Sequence, residues 1–170
     1  MKFSNIYIIF IFVLSGCSQH DYFIEAGKYY HVNPKTLKAI AYVESGNRNN
    51  IIIVNTSVFN IQQGSHKFDN WFTANLYMDT VLDPLGLNYD IGICQINKMY
   101  LGKNNLDNED LLDTRTNVFM AAKIYKYNVK VCHNNLRCAL SMYNTGKKHS
   151  KIGFKYANKV IRARTKYYSH

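Results

Sequence analysis

The chain has 170 residues, of which 47% are hydrophobic, with 9 glycines and 2 prolines. This length suits one domain, and the composition supports a buried core, which excludes disordered, collagen-like and low-complexity proteins. Lys and Arg together number 21 and Asp and Glu 11, so the net charge is +10. Such an excess favours an anionic partner, and nucleic acid, acidic phospholipid and acidic polysaccharide are all compatible with it.

The positive charge is concentrated in the C-terminal part of the chain. No acidic residue follows Asp113, whereas thirteen Lys and Arg residues lie between Arg115 and Lys166. The first 113 residues carry 8 basic and 11 acidic side chains. The basic C-terminal segment is therefore either a solvated helical face or a docking surface for an anion.

The N-terminus has the pattern of an export signal. Lys2 precedes an almost wholly apolar run over 6–14, which is too short for a membrane span of about 20 residues. Residues 14–17 (LSGC) resemble the lipobox of bacterial lipoproteins, in which the cysteine is acylated and becomes the first mature residue. An ordinary signal peptide that happens to end near a cysteine is the alternative.

The lipobox resemblance implies how the chain is divided and where it resides. Residues 1–16 would be a lipoprotein signal peptide, Cys17 the lipid anchor, and 17–170 the mature protein in the periplasm. Ser18, rather than Asp, after the cysteine favours attachment to the outer membrane of a Gram-negative bacterium.

The periodicity of the remaining chain predicts a mainly α domain. Asn33 suits an N-cap, Pro34 the first helical position and Gly46 a C-terminal stop, which together predict a helix over 34–45. Further helices are predicted at 21–31, 71–82, 110–112, 116–129, 136–143 and 154–164, with a short strand at 51–54 and a turn at 62–66. We therefore predict a single mainly α domain with one possible short strand within 48–89.

Three cysteines follow the lipobox. In an oxidising compartment Cys132 and Cys138 can form a disulfide that closes a short loop between two helices. Cys94 is then expected to be a buried, small apolar residue. A zinc site that includes His133 is the alternative, although four ligands at the usual spacings are not found in the sequence.

The predicted helix over 34–45 places a carboxylate on its apolar face. Leu37, Ile40 and Ala41 recur at i, i+3 and i+4, and Glu44 continues the same stripe at i+7. Loss of water and the nearby helix C-terminus both disfavour the charged form, so the pKa of Glu44 should rise towards neutrality, as suits a general acid. The alternative is a glutamate that bends out into solvent.

Four segments in this order resemble the lytic transglycosylase family, which has the goose-type lysozyme-like fold. They are AIAYVESGN (39–47), DIGICQIN (90–97), NVFMAAKIY (117–125) and ALSMYNTG (139–146). The resemblance covers about residues 22–161 and is greatest to small members associated with type IV pilus, type III or type IV secretion machines. It implies a lysozyme-like domain whose cleft binds a peptidoglycan glycan strand.

The resemblance also implies a role for individual residues. Glu44 would be the single catalytic acid, with the Tyr143 hydroxyl placed to bond it, and Asn117 would have a structural role in a buried helix. The residues expected to bind substrate are Ser45, Gln95, Asn97 and Asn144. Taken singly the signals are weak, because Tyr143 also suits a core position and Gln95 a structural hydrogen bond. The sequence departs from the family at Cys94, where a methionine is usual, and in the long stretch over 48–89.

The implied reaction needs one carboxylic acid. Glu44 would protonate the oxygen between N-acetylmuramic acid and N-acetylglucosamine and then, as a base, take the proton of the muramic 6-hydroxyl as a 1,6-anhydro ring closes. No metal or organic cofactor is expected, and the protein is expected to be a monomer.

Other interpretations come from the same residues. A lysozyme-like hydrolase would use Asp90 to activate water, and a catalytically silent peptidoglycan-binding assembly lipoprotein would keep only the fold and the basic surface. A nucleic-acid binder would explain the charge but not the export signal, so no nucleic acid is expected as a partner. The expected partners are peptidoglycan, a membrane through the lipid anchor, and components of a pilus or secretion machine.

Overall fold

A computed structural model describes residues 21–58 and 60–168. The expected signal peptide at 1–16 and the lipid anchor at Cys17 lie outside these residues and stay predictions. Within the described ranges, no helix combines the length and the apolar character needed to cross a bilayer.

The described part of the chain contains eight α-helices and a small antiparallel sheet, which confirms the predicted mainly α class. The helices are α1 (Tyr22–Tyr30), α2 (Pro34–Ser45), α3 (Trp71–Tyr77), α4 (Leu101–Asn104), α5 (Asn108–Leu112), α6 (Thr114–Val131), α7 (Leu136–Thr145) and α8 (Lys151–Tyr168). The strands are β1 (Ile51–Val54), β2 (Gly64–Lys67), β3 (Tyr89–Ile91) and β4 (Ile96–Asn97). A π-helix (Met78–Leu82) continues α3, and a 3₁₀ turn (Lys98–Tyr100) precedes α4.

Helix α2 has the predicted limits because both of its ends are capped by local sequence. The Asn33 side-chain oxygen accepts hydrogen bonds from the backbone N–H groups of Lys35 at 2.9 Å and Thr36 at 3.3 Å. Gly46 ends the helix at φ +65°, a left-handed conformation that glycine adopts without steric cost. The cap at Gly46 ends the helix at Ser45, so Glu44 lies in the last turn of α2.

The sheet is larger than the single strand that the sequence predicts. Its strand order is β2-β1-β3-β4, with every neighbouring pair antiparallel. Strand β1 coincides with the predicted strand, but the predicted turn at 62–66 is wrong, because residues from Gly64 onward pair with β1 as strand β2. Residues 90–97, one of the four segments that resemble the family, span most of the β3-β4 hairpin.

The helices pack around α2 and α8. Helix α8 lies against both α2 and α7, and α6 lies against α1 and α7. The approach of α8 to α7 is close at Gly153, where a Cβ atom would lie 2.2 Å from the Ser141 hydroxyl oxygen. The buried face of α8 is thereby held beside the end of α2 that carries Glu44.

A disulfide between Cys132 and Cys138 connects the end of α6 to the first turn of α7. Cys94 is a buried free thiol in the turn of the β3-β4 hairpin. The two helices that the disulfide joins both contribute side chains to the cleft described next.

Candidate active site

A cleft with a volume of about 380 Å³ lies between the end of α2, the β3-β4 hairpin and the end of α7. The polar side chains that line it include Glu44, Asp90, Gln95, Asn97, Tyr143 and Asn144. The structure thus brings together five of the six residues predicted to be catalytic or to bind substrate, and adds Asp90. The exception is Ser45.

Glu44 is a half-buried carboxylic acid in the last turn of α2. The hydroxyl of Tyr156, from α8, donates a hydrogen bond to Glu44 Oε1 at 2.6 Å. Burial raises the pKa of Glu44 to about 7, the Tyr156 hydrogen bond opposes this rise and the charge of Asp90 adds to it. Glu44 is therefore protonated in a large fraction of molecules near neutral pH, as a general acid must be.

Tyr143 does not make the predicted hydrogen bond to the acid. Its hydroxyl donates instead to the backbone carbonyl of Cys94 at 2.9 Å, which joins α7 to the hairpin turn. Tyr156 takes the predicted place beside Glu44. The sequence signal for Tyr156 is its position on the stripe formed by Gly153, Ala157 and Val160, where a hydroxyl-bearing side chain points into the core.

Ser45 does not line the cleft, and its contact with substrate stays a prediction. The side chain is buried, and its hydroxyl donates to the Ile93 carbonyl at 2.7 Å while accepting from the Arg48 N–H at 3.0 Å. Ser45 therefore ties the end of α2 to the hairpin turn and fixes the distance between the acid and the opposite cleft wall.

Asn117 holds the hairpin from beneath, in agreement with a structural role. Its amide nitrogen donates to the carbonyls of Ile91 at 2.9 Å and Leu111 at 2.6 Å, and its oxygen accepts from the Cys94 N–H at 2.9 Å. Gly92 is required beside it, since its φ is +78° and a Cβ atom would lie 2.4 Å from the Asn117 nitrogen. The turn that carries Gln95 is thus rigidly supported.

Gln95 lines the cleft and has an unused side-chain acceptor. Its side-chain nitrogen donates to the carbonyls of Gly92 at 2.6 Å and Ile51 at 3.2 Å. Its Oε1 atom is buried and has no hydrogen-bond partner among the described residues. A buried acceptor without a partner costs free energy in the folded protein.

Asp90 is a second carboxylate in the cleft. It accepts hydrogen bonds from the side-chain nitrogens of Asn97 at 2.7 Å and Asn55 at 3.2 Å. Burial raises the pKa of Asp90, and these two hydrogen bonds oppose the rise. Asn97 also donates to Asn88, so both of its donor hydrogens are occupied within the protein. Asn55 comes from the long stretch over 48–89, in which no site residue was predicted.

Within the described ranges, no three His, Cys, Asp or Glu side chains lie together as ligands of a metal ion would. The carboxyl groups that line the cleft are those of Glu44 and Asp90.

A carboxylic acid with a raised pKa, facing a hairpin across a polar cleft, is suited to acid-catalysed cleavage of a glycan. Comparison with known protein families agrees with this kind of reaction. The family model described as the transglycosylase SLT domain matches residues 21–164. The chain belongs to this family, whose members have a lysozyme-like fold and are lytic transglycosylases, lyases that act on peptidoglycan. No curated protein matches the sequence. The family and the fold implied by the four sequence segments are confirmed.

Proposed function

We propose that this lytic transglycosylase cleaves the bond between N-acetylmuramic acid and N-acetylglucosamine and leaves a 1,6-anhydromuramic end. The observation that carries the proposal is the Glu44 carboxyl, held by Tyr156 in the cleft wall with its pKa raised to about 7. Because Tyr156 donates to Oε1, the proton that Glu44 transfers is expected on Oε2.

The reaction has two proton transfers at one carboxyl group. Glu44 first protonates the bridging oxygen as the bond to the muramic anomeric carbon breaks, so that N-acetylglucosamine leaves with a hydroxyl. The muramic 6-oxygen then bonds to the anomeric carbon and its proton passes to Glu44, which regenerates the acid. An intramolecular hydroxyl has an effective concentration of about 10⁵ M or more in favourable geometries, which favours it over water.

Peptidoglycan zymography with wild type and Glu44→Gln tests the acid. The amide cannot deliver a proton, so we expect cleavage to fall by about 10²- to 10⁴-fold. Glu109→Gln, at an exposed position on α5, is the matched control and should keep wild-type activity. A Glu44→Gln variant within about tenfold of wild type would remove Glu44 from the mechanism. A wild-type protein that binds sacculi without cutting them would indicate the silent binding lipoprotein instead.

The second candidate is hydrolysis, which is favoured by the position of Asp90 in the same cleft as Glu44. An ionised Asp90 could activate water, as the second carboxylate does in many glycosidases. Mass spectrometry of digested sacculi separates the two reactions, because the anhydro product is one water lighter than the hydrolytic product. In the transglycosylase reaction Asp90→Asn keeps the anhydro end, whereas in the hydrolase it abolishes cleavage.

We also propose that the enzyme acts in the periplasm, attached to the outer membrane through Cys17, and opens the wall locally for a pilus or secretion machine. The proposal is supported by the lipobox resemblance of residues 14–17 and by the likeness of the catalytic segments to machine-associated members of the family. Labelling cells with a fatty-acid analogue should mark the wild-type protein and not Cys17→Ser. Recovery of the wild-type protein unlabelled and soluble would contradict the lipid anchor.

A further inference from the structure

A second groove, which the catalytic machinery does not use, lies on the outer side of helices α2 and α8. It has a volume of about 500 Å³ and is lined by the aromatic side chains Tyr42 and Tyr167 and by the cations Lys159, Arg162 and Lys166. Tyr42 and Glu44 are two residues apart on α2, so they point about 200° away from each other around the helix axis. We call this feature the outer groove, to distinguish it from the catalytic cleft.

Two tyrosines form the aromatic part of the outer groove. The ring centroids of Tyr42 and Tyr167 are 4.8 Å apart and their hydroxyl oxygens are 3.4 Å apart. The two residues nevertheless remain 39% and 47% exposed. An exposed aromatic pair with polar tips presents an apolar face and hydrogen-bonding groups together, the combination that suits the rings and hydroxyls of a sugar.

Three cations border these rings. Lys159 and Arg162 are exposed on α8, and Lys166 is exposed one turn further on, with its Nζ atom 4.8 Å from the centroid of the Tyr167 ring. None of the three forms an ion pair with any described residue, and the chain has no acidic residue beyond Asp113. No carboxylate of the described residues therefore compensates their charge, and Arg162 offers the planar donor set that pairs with carboxylates.

We propose that the outer groove is a second peptidoglycan-binding site, which holds a muramyl-peptide unit of a strand that is not being cut. The carboxylates of its stem peptide would lie on Lys159, Arg162 and Lys166, and its sugar on the tyrosine pair. This inference rests on the proposed action of the enzyme on peptidoglycan. An anionic bilayer would meet the same three cations, but a sugar ring in addition matches the exposed faces of Tyr42 and Tyr167.

The position of the groove distinguishes its ligand from the substrate. Because Tyr42 and Glu44 point to different sides of α2, the unit bound in the outer groove lies away from the acid of the same molecule. The enzyme then remains attached to one strand of the wall while its catalytic cleft engages a neighbouring strand.

Binding of the full chain to purified sacculi, measured by co-sedimentation in the Glu44→Gln background to prevent cleavage, tests the outer groove. Adding Lys159→Glu and Arg162→Glu should weaken binding about tenfold or more, because two charge-assisted contacts become repulsive. The matched control is Lys126→Glu with Lys130→Glu, which makes the same change in net charge at exposed positions of α6. Because only long-range attraction is lost there and salt screens it, the control should weaken binding less than about twofold. Equal losses in both pairs would overturn the proposal in favour of diffuse attraction.

The aromatic half of the outer groove has its own control. Tyr42→Ala should weaken binding to sacculi, whereas Tyr127→Ala, which removes a ring that is 63% exposed on α6, should not. Thermal unfolding of each variant shows whether the fold is retained. If Tyr42→Ala binds sacculi like Tyr127→Ala, the sugar contact is refuted.

Two further measurements separate this inference from the proposed reaction and from lipid binding. With Glu44 intact, the charge variants of the outer groove should cleave short soluble glycan fragments at the wild-type rate. A wild-type enzyme without cleavage activity refutes the reaction but leaves the binding result valid. Phosphatidylglycerol vesicles are the lipid probe, and loss of vesicle binding without loss of sacculus binding would overturn the proposal in favour of a membrane contact.

Discussion

The single carboxyl group of Glu44 sets the pH range in which the enzyme can work. Burial raises its pKa to about 7, and only the protonated form can donate to the bridging oxygen. We therefore expect kcat/KM to fall about tenfold per pH unit above neutrality. Initial rates on soluble glycan fragments across pH 5 to 9 measure this limb, and a rate that does not fall above neutrality would contradict the assignment.

Tyr156 acts on the reaction through Glu44, as a positioning residue. Its hydrogen bond favours the carboxylate form and so lowers the pKa of Glu44 below the value that burial alone would give. Tyr156→Phe should slow cleavage by about tenfold, the effect of a lost charge-assisted hydrogen bond, and should move the alkaline limb of the pH profile upward.

Tyr143→Phe is the matched control for this prediction. It removes a hydroxyl of the same kind, but one that donates to the Cys94 carbonyl and not to Glu44. The alkaline limb of the pH profile of Tyr143→Phe should stay close to that of the wild type. A shift of equal size in both variants would show that general loosening of the cleft, rather than the hydrogen bond to Glu44, controls the pKa.

At the scale of secondary-structure elements, the disulfide joins the two helices α6 and α7 across a short loop. Closing a loop of this length restricts the unfolded chain and is worth about 2 kcal/mol. Replacing Cys132 and Cys138 together with Ser should lower the free energy of unfolding in urea by this amount.

In the unreduced native protein Cys94 should react with a thiol reagent only after unfolding, since it is buried. Rapid modification of Cys132 or Cys138 in that protein would contradict the bond.

The elements also show what the sequence could and could not predict. Helix α2 was predictable to its last residue because Asn33 and Gly46 act within one turn of the helix ends. Strand β2 was not, because Gly64–Lys67 has turn-like residues and becomes a strand only through its pairing with β1. Local signals therefore placed the helices, whereas the extent of the sheet depended on contacts between distant segments.

The same division applies to the site. Glu44 was predictable because the helix that buries it is encoded in the dozen residues around it. The pairing of Glu44 with Tyr156 was not predictable, since Tyr156 is 112 residues away in the chain and reaches the acid only through the packing of α8 on α2. Asn55 was missed for a similar reason, because the sheet register alone brings it to Asp90.

At the scale of the whole molecule, charge and catalysis are arranged on the same helix. Helix α8 buries Tyr156 against the acid and exposes Lys159, Arg162 and Lys166 on its other face. The sequence predicts that the basic C-terminal segment is either a solvated helical face or a docking surface. In the structure this segment also contributes Tyr156 to the candidate active site. Its exposed cations remain available to the wall while its buried face completes the cleft.

The contribution of α8 to the cleft has a consequence for cleaved molecules. The donor that holds Glu44 is Tyr156 of α8, which lies 112 residues from the acid in the chain. A proteolytic cut between α7 and α8 leaves the acid and the hairpin in one fragment and the hydroxyl that orients the acid in the other. Fragments that lose α8 are therefore expected to be inert.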